Sequence, residues 1–250
     1  MLSDKNLIAY KPTISSRIIR RKKPITCIIG MKCVDGVVIA GDRRVLRGTE
    51  YSEEAKISEP FPDFVVGASG VSGLMDKFLY EMNVFLQSDN AKGIDWRGFL
   101  YVLEDLAFGL FDRYKERLEV DEQVEVGAYY FDVLFGCKPI VNVAKLYHLY
   151  RNGFSQEVKR FDIIGHGQPH ALPFIKALYN EKRTMSEMVK ISAFTLKLID
   201  EANVDLSVGG EPQIFTIPNE GKAKELFRKE INNLLGTLSP TQILESILKT

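Results

Sequence analysis

Several strand-like runs of this sequence are apolar at nearly every position, and this feature most restricts how the chain can fold. The runs "VVIAG" (37–41) and "YYFDVLFG" (129–136) lack the apolar–polar alternation of an antiparallel strand with one face in water. Both faces of such strands must be covered. Helices can cover one face of a sheet and a second sheet the other. We therefore predict an α+β fold, a four-layer αββα sandwich of two antiparallel sheets.

Two dipeptides indicate β-hairpins. Asp35-Gly36 separates "TCIIGMKC" from "VVIAG", and Asn152-Gly153 separates "PIVNVAKLYHLY" from "FSQEVKRFDIIG". Both residues of each pair tolerate positive φ, as a type I′ turn requires. We therefore predict antiparallel strand pairs at both places, and further strands at "DFVVGAS" and "PQIFTI".

Apolar residues at steps of three and four predict helices that occur in pairs. The predicted helices cover about 71–87, 95–118 and 168–180, and a fourth begins at a capping box formed by Thr184 and Glu187. Recurring hairpins and paired helices differ from the strand–helix alternation of a parallel α/β fold, which supports the layered arrangement of antiparallel sheets.

The length and composition allow one large core. The chain has 250 residues, of which 45% are hydrophobic, and a core of this size buries roughly 70–75% of the surface that an unfolded chain exposes. No composition break resembles a linker. We predict a single domain over 26–250, preceded by a leader or propeptide-like extension over 1–25. Its C-terminal part, about 221–250, is predicted to form two helices, the last beginning at Ser239-Pro240.

Charge and cysteine content exclude several classes of function. Lys plus Arg and Asp plus Glu each number 33, so the formal net charge is zero. This argues against a dedicated nucleic-acid binder and against docking on an anionic membrane. Three cysteines form neither a metal-binding spacing nor an even disulfide set. We expect a cytoplasmic protein without a cofactor, since the sequence has neither a membrane helix nor the layout of a secretory signal.

The stretch "PITCIIGMKCVDGVVIAGDRR" (24–44) brings polar residues to one end of a hairpin. Thr26 begins the first strand, and Asp42 ends the returning strand at the same level, followed by Arg43 and Arg44. Taken alone, Thr26 is a residue that favours β-strands, and Asp42 beside Arg44 is typical of a structural ion pair. The pattern gains meaning only together with motifs further along the chain.

In order and spacing, these motifs resemble those of the proteasome core-particle (20S) subunit family, of the β type, over about 26–217. In that family a threonine begins the first strand, and an acid followed closely by arginine ends the second. The other matching motifs are "AKISEP" (55–60), which resembles the lysine-bearing strand, "VGASGVSG" (66–73), "KLYHLYRNGFSQEVKRFDIIGHGQPHA" (145–171) with its gly-x-gly turn, and "DLSVGG" (205–210).

This resemblance implies the αββα fold of N-terminal-nucleophile hydrolases and the activity of a threonine endopeptidase. Thr26 would be the nucleophile, with its own α-amino group as the general base. Lys56 would lower the pKa of the nucleophile, and Asp42 would hold Lys56. The family pattern also implies an oxyanion donor, the backbone N–H of Gly70, and a second acid supporting the threonine, Asp205.

Three positions depart from the pattern of active members of the family. Thr26 follows Ile25 and Pro24 instead of glycine, and its amine becomes free only when the Ile25–Thr26 bond is cut. His166 and Val208 occupy positions where active members usually have serine. His166 could replace the serine as a hydrogen-bond donor or proton carrier, or could be a solvated surface residue.

Two classes of function follow from these observations, with a third possibility on the same fold. The first is a proteasome-type threonine endopeptidase subunit, which hydrolyses unfolded peptides and assembles with like subunits in a homo- or hetero-oligomeric ring. The second is a catalytically inactive structural or assembly subunit that keeps its leader. A stand-alone N-terminal-nucleophile amidase or acyl-transferase is the third, because a fold does not fix the substrate.

Overall fold

The structure is a computed structural model that describes residues 26–47, 50–70, 72–119, 132–150, 152–202 and 208–235. Several predictions fall on the other residues. The leader over 1–25, the first part of the strand predicted from residue 126, Asp205 and the helix predicted from Ser239 lie outside the described residues.

The described strands form two five-stranded sheets and a separate hairpin, and every strand pair is antiparallel. In spatial order the first sheet contains β10 (Phe161–Ile164), β1 (Ile28–Cys33), β2 (Gly36–Gly41), β11 (Gln213–Pro218) and β12 (Lys224–Leu226). The second sheet contains β5 (Ile57–Phe61), β6 (Phe64–Ser69), β7 (Asp132–Ile140), β8 (Val143–Leu149) and β9 (Ser155–Val158). The hairpin pairs β3 (Arg44–Arg47) with β4 (Glu50–Glu53). The prediction of two antiparallel sheets is confirmed.

Five α-helices are described, and the first four form two of the predicted pairs. They are α1 (Ser72–Gln87), α2 (Trp96–Glu119), α3 (Gln168–Leu178), α4 (Met185–Glu201) and α5 (Arg228–Leu235), with a short 3-10 helix over Asp89–Ala91. The predicted capping box of α4 is confirmed: the N–H of Glu187 donates to Oγ1 of Thr184, and the N–H of Thr184 donates to Oε2 of Glu187. These bonds satisfy two of the backbone donors that the first turn of a helix leaves without partners.

Buried apolar side chains of the described residues form three clusters. The first lies between the first sheet and helices α3, α4 and α5, and the second between the second sheet and helices α1 and α2. The third, here called the inter-sheet cluster, joins strands of both sheets and includes Ile28, Val37, Ile39, Leu134, Leu146 and Ile217. In β2, Val38 and Ala40 belong to the first cluster, whereas Val37 and Ile39 belong to the inter-sheet cluster. Burial on both faces explains why this strand is apolar throughout.

The β1–β2 hairpin is confirmed, but its predicted turn type is wrong. Neither Asp35 nor Gly36 has positive φ, so the turn is not of type I′, and Gly36 already belongs to β2. The reason for glycine here is close approach: a Cβ on Gly36 would lie 2.4 Å from the carbonyl oxygen of Ile217 in the neighbouring strand. At the second hairpin, Gly153 adopts a positive φ of 83° but Asn152 does not, so this turn is not of type I′ either.

The segment predicted as one strand over 154–165 divides between the two sheets. Its first half, β9, pairs with β8, and its second half, β10, pairs with β1 in the other sheet. The chain therefore crosses between the sheets at residues 159–160. A local pattern cannot reveal this crossing, because both halves have the composition of a strand.

Two further segments differ from prediction. A turn at Val141 and Asn142 interrupts the strand predicted from Pro139, and Asn142 adopts a φ of 62° there. In the C-terminal part predicted to be helical, residues 224–226 instead form β12 and pair with β11. Among the described residues, no helix is both long enough and apolar enough to span a membrane.

Candidate active site

Asp42 directly follows β2, and its carboxylate binds several groups at this end of the first sheet. Its side chain is 1% exposed. Oδ1 accepts a hydrogen bond from the N–H of Cys27 at 2.8 Å, and Oδ2 accepts from Nζ of Lys56 at 2.7 Å and from the N–H of Gly209 at 3.3 Å. A carboxylate with three donors is compatible with burial, because its charge is compensated locally.

Lys56 immediately precedes β5 of the second sheet and reaches across to Asp42. Its Nζ also donates to the carbonyl oxygen of Arg44 at 2.6 Å, and its side chain is 9% exposed. Burial lowers the pKa of the Lys56 ammonium below its ordinary value, although the Asp42 carboxylate opposes this effect. The result is a buried cation held between the carboxylate of Asp42 and the carbonyl oxygen of Arg44.

Thr26 lies one residue before the contact between Asp42 and Cys27. The residue is 6% exposed, and its carbonyl oxygen accepts a hydrogen bond from the N–H of Gly167 at 3.1 Å. Gly165 also packs against it: a Cβ on Gly165 would lie 2.1 Å from the same oxygen, and φ of Gly165 is 93°. Only glycine fits both restrictions.

Gly70 directly follows β6, with a φ of 137°. Its neighbour Ser69 is buried, and the hydroxyl of Ser69 would lie 2.8 Å from a Cβ on Gly165. Gly165 therefore lies between Ser69 and the carbonyl of Thr26. The structure brings the end of β6 to the start of β1, so that Gly70 is in the neighbourhood of Thr26.

The remaining predicted residues differ in their surroundings. His166 is exposed, in the turn between β10 and α3. Val208 is fully buried, and its Cγ2 would lie 3.0 Å from a Cβ on Gly167. An apolar side chain thus fills a position where the resemblance implies a serine hydroxyl. Asp205 lies outside the described residues.

Sequence reasoning missed part of the network around Asp42. The guanidinium of Arg44 donates to Oδ1 of Asp200 at 2.5 Å and to the carbonyl oxygen of Val208 at 3.3 Å. These bonds hold the end of α4 and the segment that contains Gly209, whose N–H donates to Asp42. The sequence shows "GDRR" and the paired glycines Gly209 and Gly210, but nothing local indicates that Arg44 joins the two segments.

Gln213 is a second residue that sequence reasoning missed. It is a buried amide at the start of the mostly apolar β11, and its side chain bonds to the backbone of Lys56 and Ile57. The signal in the sequence was a polar residue inside "PQIFTI". Among the described residues, no group of three or more His, Cys, Asp or Glu could hold a metal ion.

Comparisons with known proteins give a likeness of fold. No protein-family model matches the sequence, and a search of curated proteins returns no match. A solved structure of Anbu (ancestral beta-subunit) from Yersinia bercovieri is similar with a TM-score of 0.67 and 13% identity, over 90% of this chain and 95% of that chain. The structure of the Anbu (Gly-1) mutant from Hyphomicrobium sp. strain MC1 is similar with a TM-score of 0.66 and 15% identity, over 90% of this chain and 97% of that chain.

These comparisons correct the interpretation drawn from the motifs. The identification as a 20S core-particle subunit is wrong, because the similar structures described here are Anbu proteins and no family model or curated protein supports a 20S subunit. The chain has the fold of proteasome-like ancestral beta-subunits. At identities below 25%, this likeness concerns the fold alone.

Proposed function

We propose that this chain is a threonine-type endopeptidase of proteasome-like fold, in which Thr26 becomes the N-terminal nucleophile after the preceding residues are removed. The observation that carries the proposal is the buried Lys56–Asp42 pair, in which Asp42 binds the backbone N–H of Cys27, the residue that follows Thr26. A buried ion pair is a weak source of stability, so chemistry is the better reason for its position.

In the proposed reaction, Oγ1 of Thr26 attacks the carbonyl carbon of a peptide bond, and the α-amino group of Thr26 takes the hydroxyl proton. An α-amino group has a pKa of about 7.7–8.0, which suits a general base at neutral pH. The amine then gives this proton to the leaving nitrogen as the C–N bond breaks, leaving an ester on Thr26. Water hydrolyses the ester and restores the hydroxyl.

The neighbouring groups have supporting roles in this proposal. The Lys56 ammonium stabilises negative charge that develops on Oγ1, and Asp42 orients Lys56. The N–H of Gly70 is the proposed donor to the oxyanion; removal of one such donor costs on the order of 10²–10³ in rate. Asp205 is the proposed second acid, and His166 the proposed replacement for a serine donor.

We also propose that the fold is the four-layer αββα sandwich over a single domain from residue 26. The three clusters of buried residues support it, because the inter-sheet cluster joins the two sheets and each of the other two joins one sheet to its helices. In this arrangement the site lies where Asp42 of one sheet meets Lys56 beside the other.

A wider setting follows from the same proposal. The substrate would be an unfolded peptide in the cytoplasm, and like subunits would form a homo- or hetero-oligomeric ring. Support comes from the description of the similar structures as ancestral beta-subunits. Three buried cysteines that form no disulfide, Cys27, Cys33 and Cys137, suit a reducing compartment.

A catalytically inactive assembly subunit is the second candidate. Val208 favours it, since its buried side chain leaves no hydroxyl at that position to support the threonine amine. Ile25 and Pro24 favour it as well, because both restrict the backbone at the bond that must be cut.

The mass of the intact protein isolated from its own cells separates the two candidates. An endopeptidase should begin at Thr26 and hydrolyse fluorogenic peptide amides. Thr26→Ala should then lower the rate roughly 10²-fold or more, Thr26→Ser should retain part of it, and Thr216→Ala in β11 should leave it unchanged. A protein that keeps residues 1–25 in its native assembly and hydrolyses no peptide amide, either as the wild type or as Thr26→Ala, would instead be the inactive subunit.

A further inference from the structure

Gln213 forms a two-point contact with the backbone next to Lys56. Its side chain belongs to β11 of the first sheet and is almost fully buried. Oε1 accepts hydrogen bonds from the N–H of Lys56 at 2.9 Å and from the N–H of Ile57 at 3.0 Å. One amide oxygen therefore binds two consecutive peptide groups at the start of β5.

The amide nitrogen of Gln213 is bound as specifically as its oxygen. Nε2 donates to the carbonyl oxygen of Ile57 at 2.8 Å and to Oε1 of Glu225 at 3.1 Å. Because two N–H donors face one end of the amide and two oxygens face the other, only one orientation of the side chain satisfies all four contacts.

The position of β5 explains why a side chain makes these bonds. β5 is the edge strand of the second sheet, so its outer edge has no strand partner among the described residues. Buried backbone N–H and C=O groups need partners, and a primary amide offers the same donor and acceptor as a peptide group. Gln213 thus supplies from the first sheet the pairing that the edge of β5 lacks.

Glu225 and Arg43 anchor this amide. Oε1 of Glu225 accepts from Nη2 of Arg43 at 2.9 Å as well as from Gln213. Arg43 follows Asp42 in the chain, and Asp42 binds the ammonium of Lys56. The contacts form a closed ring, in which the side chain of Lys56 is held by Asp42 and its backbone by Gln213.

We propose that Gln213 is a positioning residue, which fixes the backbone of Lys56 so that the ammonium stays between Asp42 and the carbonyl of Arg44. This inference rests on the proposed function in so far as Lys56 takes part in hydrolysis. Gln213 itself does not touch the reacting atoms. Its effect is transmitted through the start of β5.

The first test measures Lys56 directly, by NMR titration of the full chain with isotopically labelled lysine. Gln213→Met keeps the length of the side chain and removes all four hydrogen bonds. We expect the pKa of Lys56 to rise toward its ordinary value, because the ammonium gains contact with water. The controls are Ile214→Val and Ile214→Ala, whose buried side chain faces the helices on the other side of β11. Ile214→Val should lower the melting temperature less than Gln213→Met does, and Ile214→Ala should lower it more. Neither control should change the titration of Lys56.

The second test uses hydrolysis of fluorogenic peptide amides. Gln213→Met should lower kcat about tenfold to a hundredfold, as displacement of a catalytic group does, with KM within about twofold. If Gln213→Met does not fold, Glu225→Ala removes one partner of Nε2 and the ion-pair partner of Arg43 but keeps the three bonds of Gln213 to the backbone of Lys56 and Ile57. It should shift both readouts in the same direction, by less. The inference would be overturned if Gln213→Met had the same Lys56 titration and the same kcat as the Ile214 variant whose melting temperature matches its own.

The two proposals can fail separately. If the wild type hydrolyses no peptide but Gln213→Met still shifts the Lys56 titration, the positioning role stands and the proposed endopeptidase activity fails. If the wild type is active and Gln213→Met changes neither the Lys56 titration nor kcat, the endopeptidase stands and the positioning role fails.

Discussion

At the scale of single residues, the pair of Asp42 and Lys56 has the largest consequences. Asp42 compensates the charge of Lys56, and the N–H groups of Cys27 and Gly209 complete its hydrogen bonding. The pair is nearly inaccessible to water, so either charge without the other would be buried and uncompensated. Such a pair is far more sensitive to removal of one partner than to removal of both.

Lys56→Met therefore should destabilise the protein by about 3–5 kcal/mol, the usual effect of leaving one buried charge without its partner. Asp42→Asn combined with Lys56→Met should restore much of this stability, since neither charge remains. The free energy of unfolding in urea measures both effects. Peptide hydrolysis should be absent in the single and the double variant alike. A double variant as unstable as Lys56→Met would contradict this account of the pair.

At the scale of elements, an ion pair of His148 links the two sheets. His148 lies on β8 of the second sheet, and its Nδ1 is 2.7 Å from Oδ2 of Asp162 on β10 of the first sheet. Its Nε2 lies 3.8 Å from Oδ1 of Asp132 on β7, and its ring stacks on Tyr150 at 3.9 Å between centroids. Burial lowers the pKa of His148, but the two carboxylates outweigh burial, so that its pKa is raised.

This raised pKa predicts a pH-dependent link between the strands. A group whose pKa is higher in the folded state stabilises that state fully below its unfolded pKa, about 6.5 for histidine. The stabilisation is lost as the pH rises through the folded pKa. We expect the difference in free energy of unfolding between the wild type and His148→Gln to be largest near pH 5.5 and to shrink toward pH 9. If this difference in free energy of unfolding grew with pH instead, it would contradict an ion pair between protonated His148 and Asp162.

At the scale of the whole molecule, glycines permit the two sheets to pack closely. Four glycines have this role: Gly30, Gly41, Gly67 and Gly136. A Cβ on each of them would lie within 3.0 Å of an isoleucine or leucine side chain of the inter-sheet cluster. Since packed sheets are about 10 Å apart, large side chains on one strand need small residues opposite them.

Gly136→Val should destabilise the protein by about 1–3 kcal/mol through overpacking. A Cβ at this position on β7 would lie 2.2 Å from Cδ1 of Ile217 and 3.3 Å from Cδ1 of Ile39, so valine has no room. The matched control is Gly109→Ala in the interior of α2, where a Cβ would meet nothing within 4 Å. This control should stabilise the helix by about 0.5–1 kcal/mol. Melting temperatures that move in the same direction for both variants would refute the packing argument.

Structure could be predicted from the sequence wherever it depends on interactions within one short segment. The capping box of Thr184 and Glu187 could be predicted, because its bonds lie within one turn of helix. The apolar run of β2 predicted burial on both faces, and the alternation of Val37 and Val38 between two clusters agrees with it. Within the candidate site, the nearness of Asp42 to the start of β1 could be predicted, because a hairpin fixes its own register.

The sequence by itself determined most of the helices and strands, the antiparallel pairing within the hairpins and the residues from which a site could be built. Only the tertiary structure decided that β9 and β10 belong to different sheets, and that Gln213 pairs with the edge of β5. The physical reason is the range of the interactions. Helix caps, hairpin register and burial periodicity arise between residues close in sequence, whereas a contact 157 residues apart, such as that of Gln213 with Lys56, exists only once the sheets have packed.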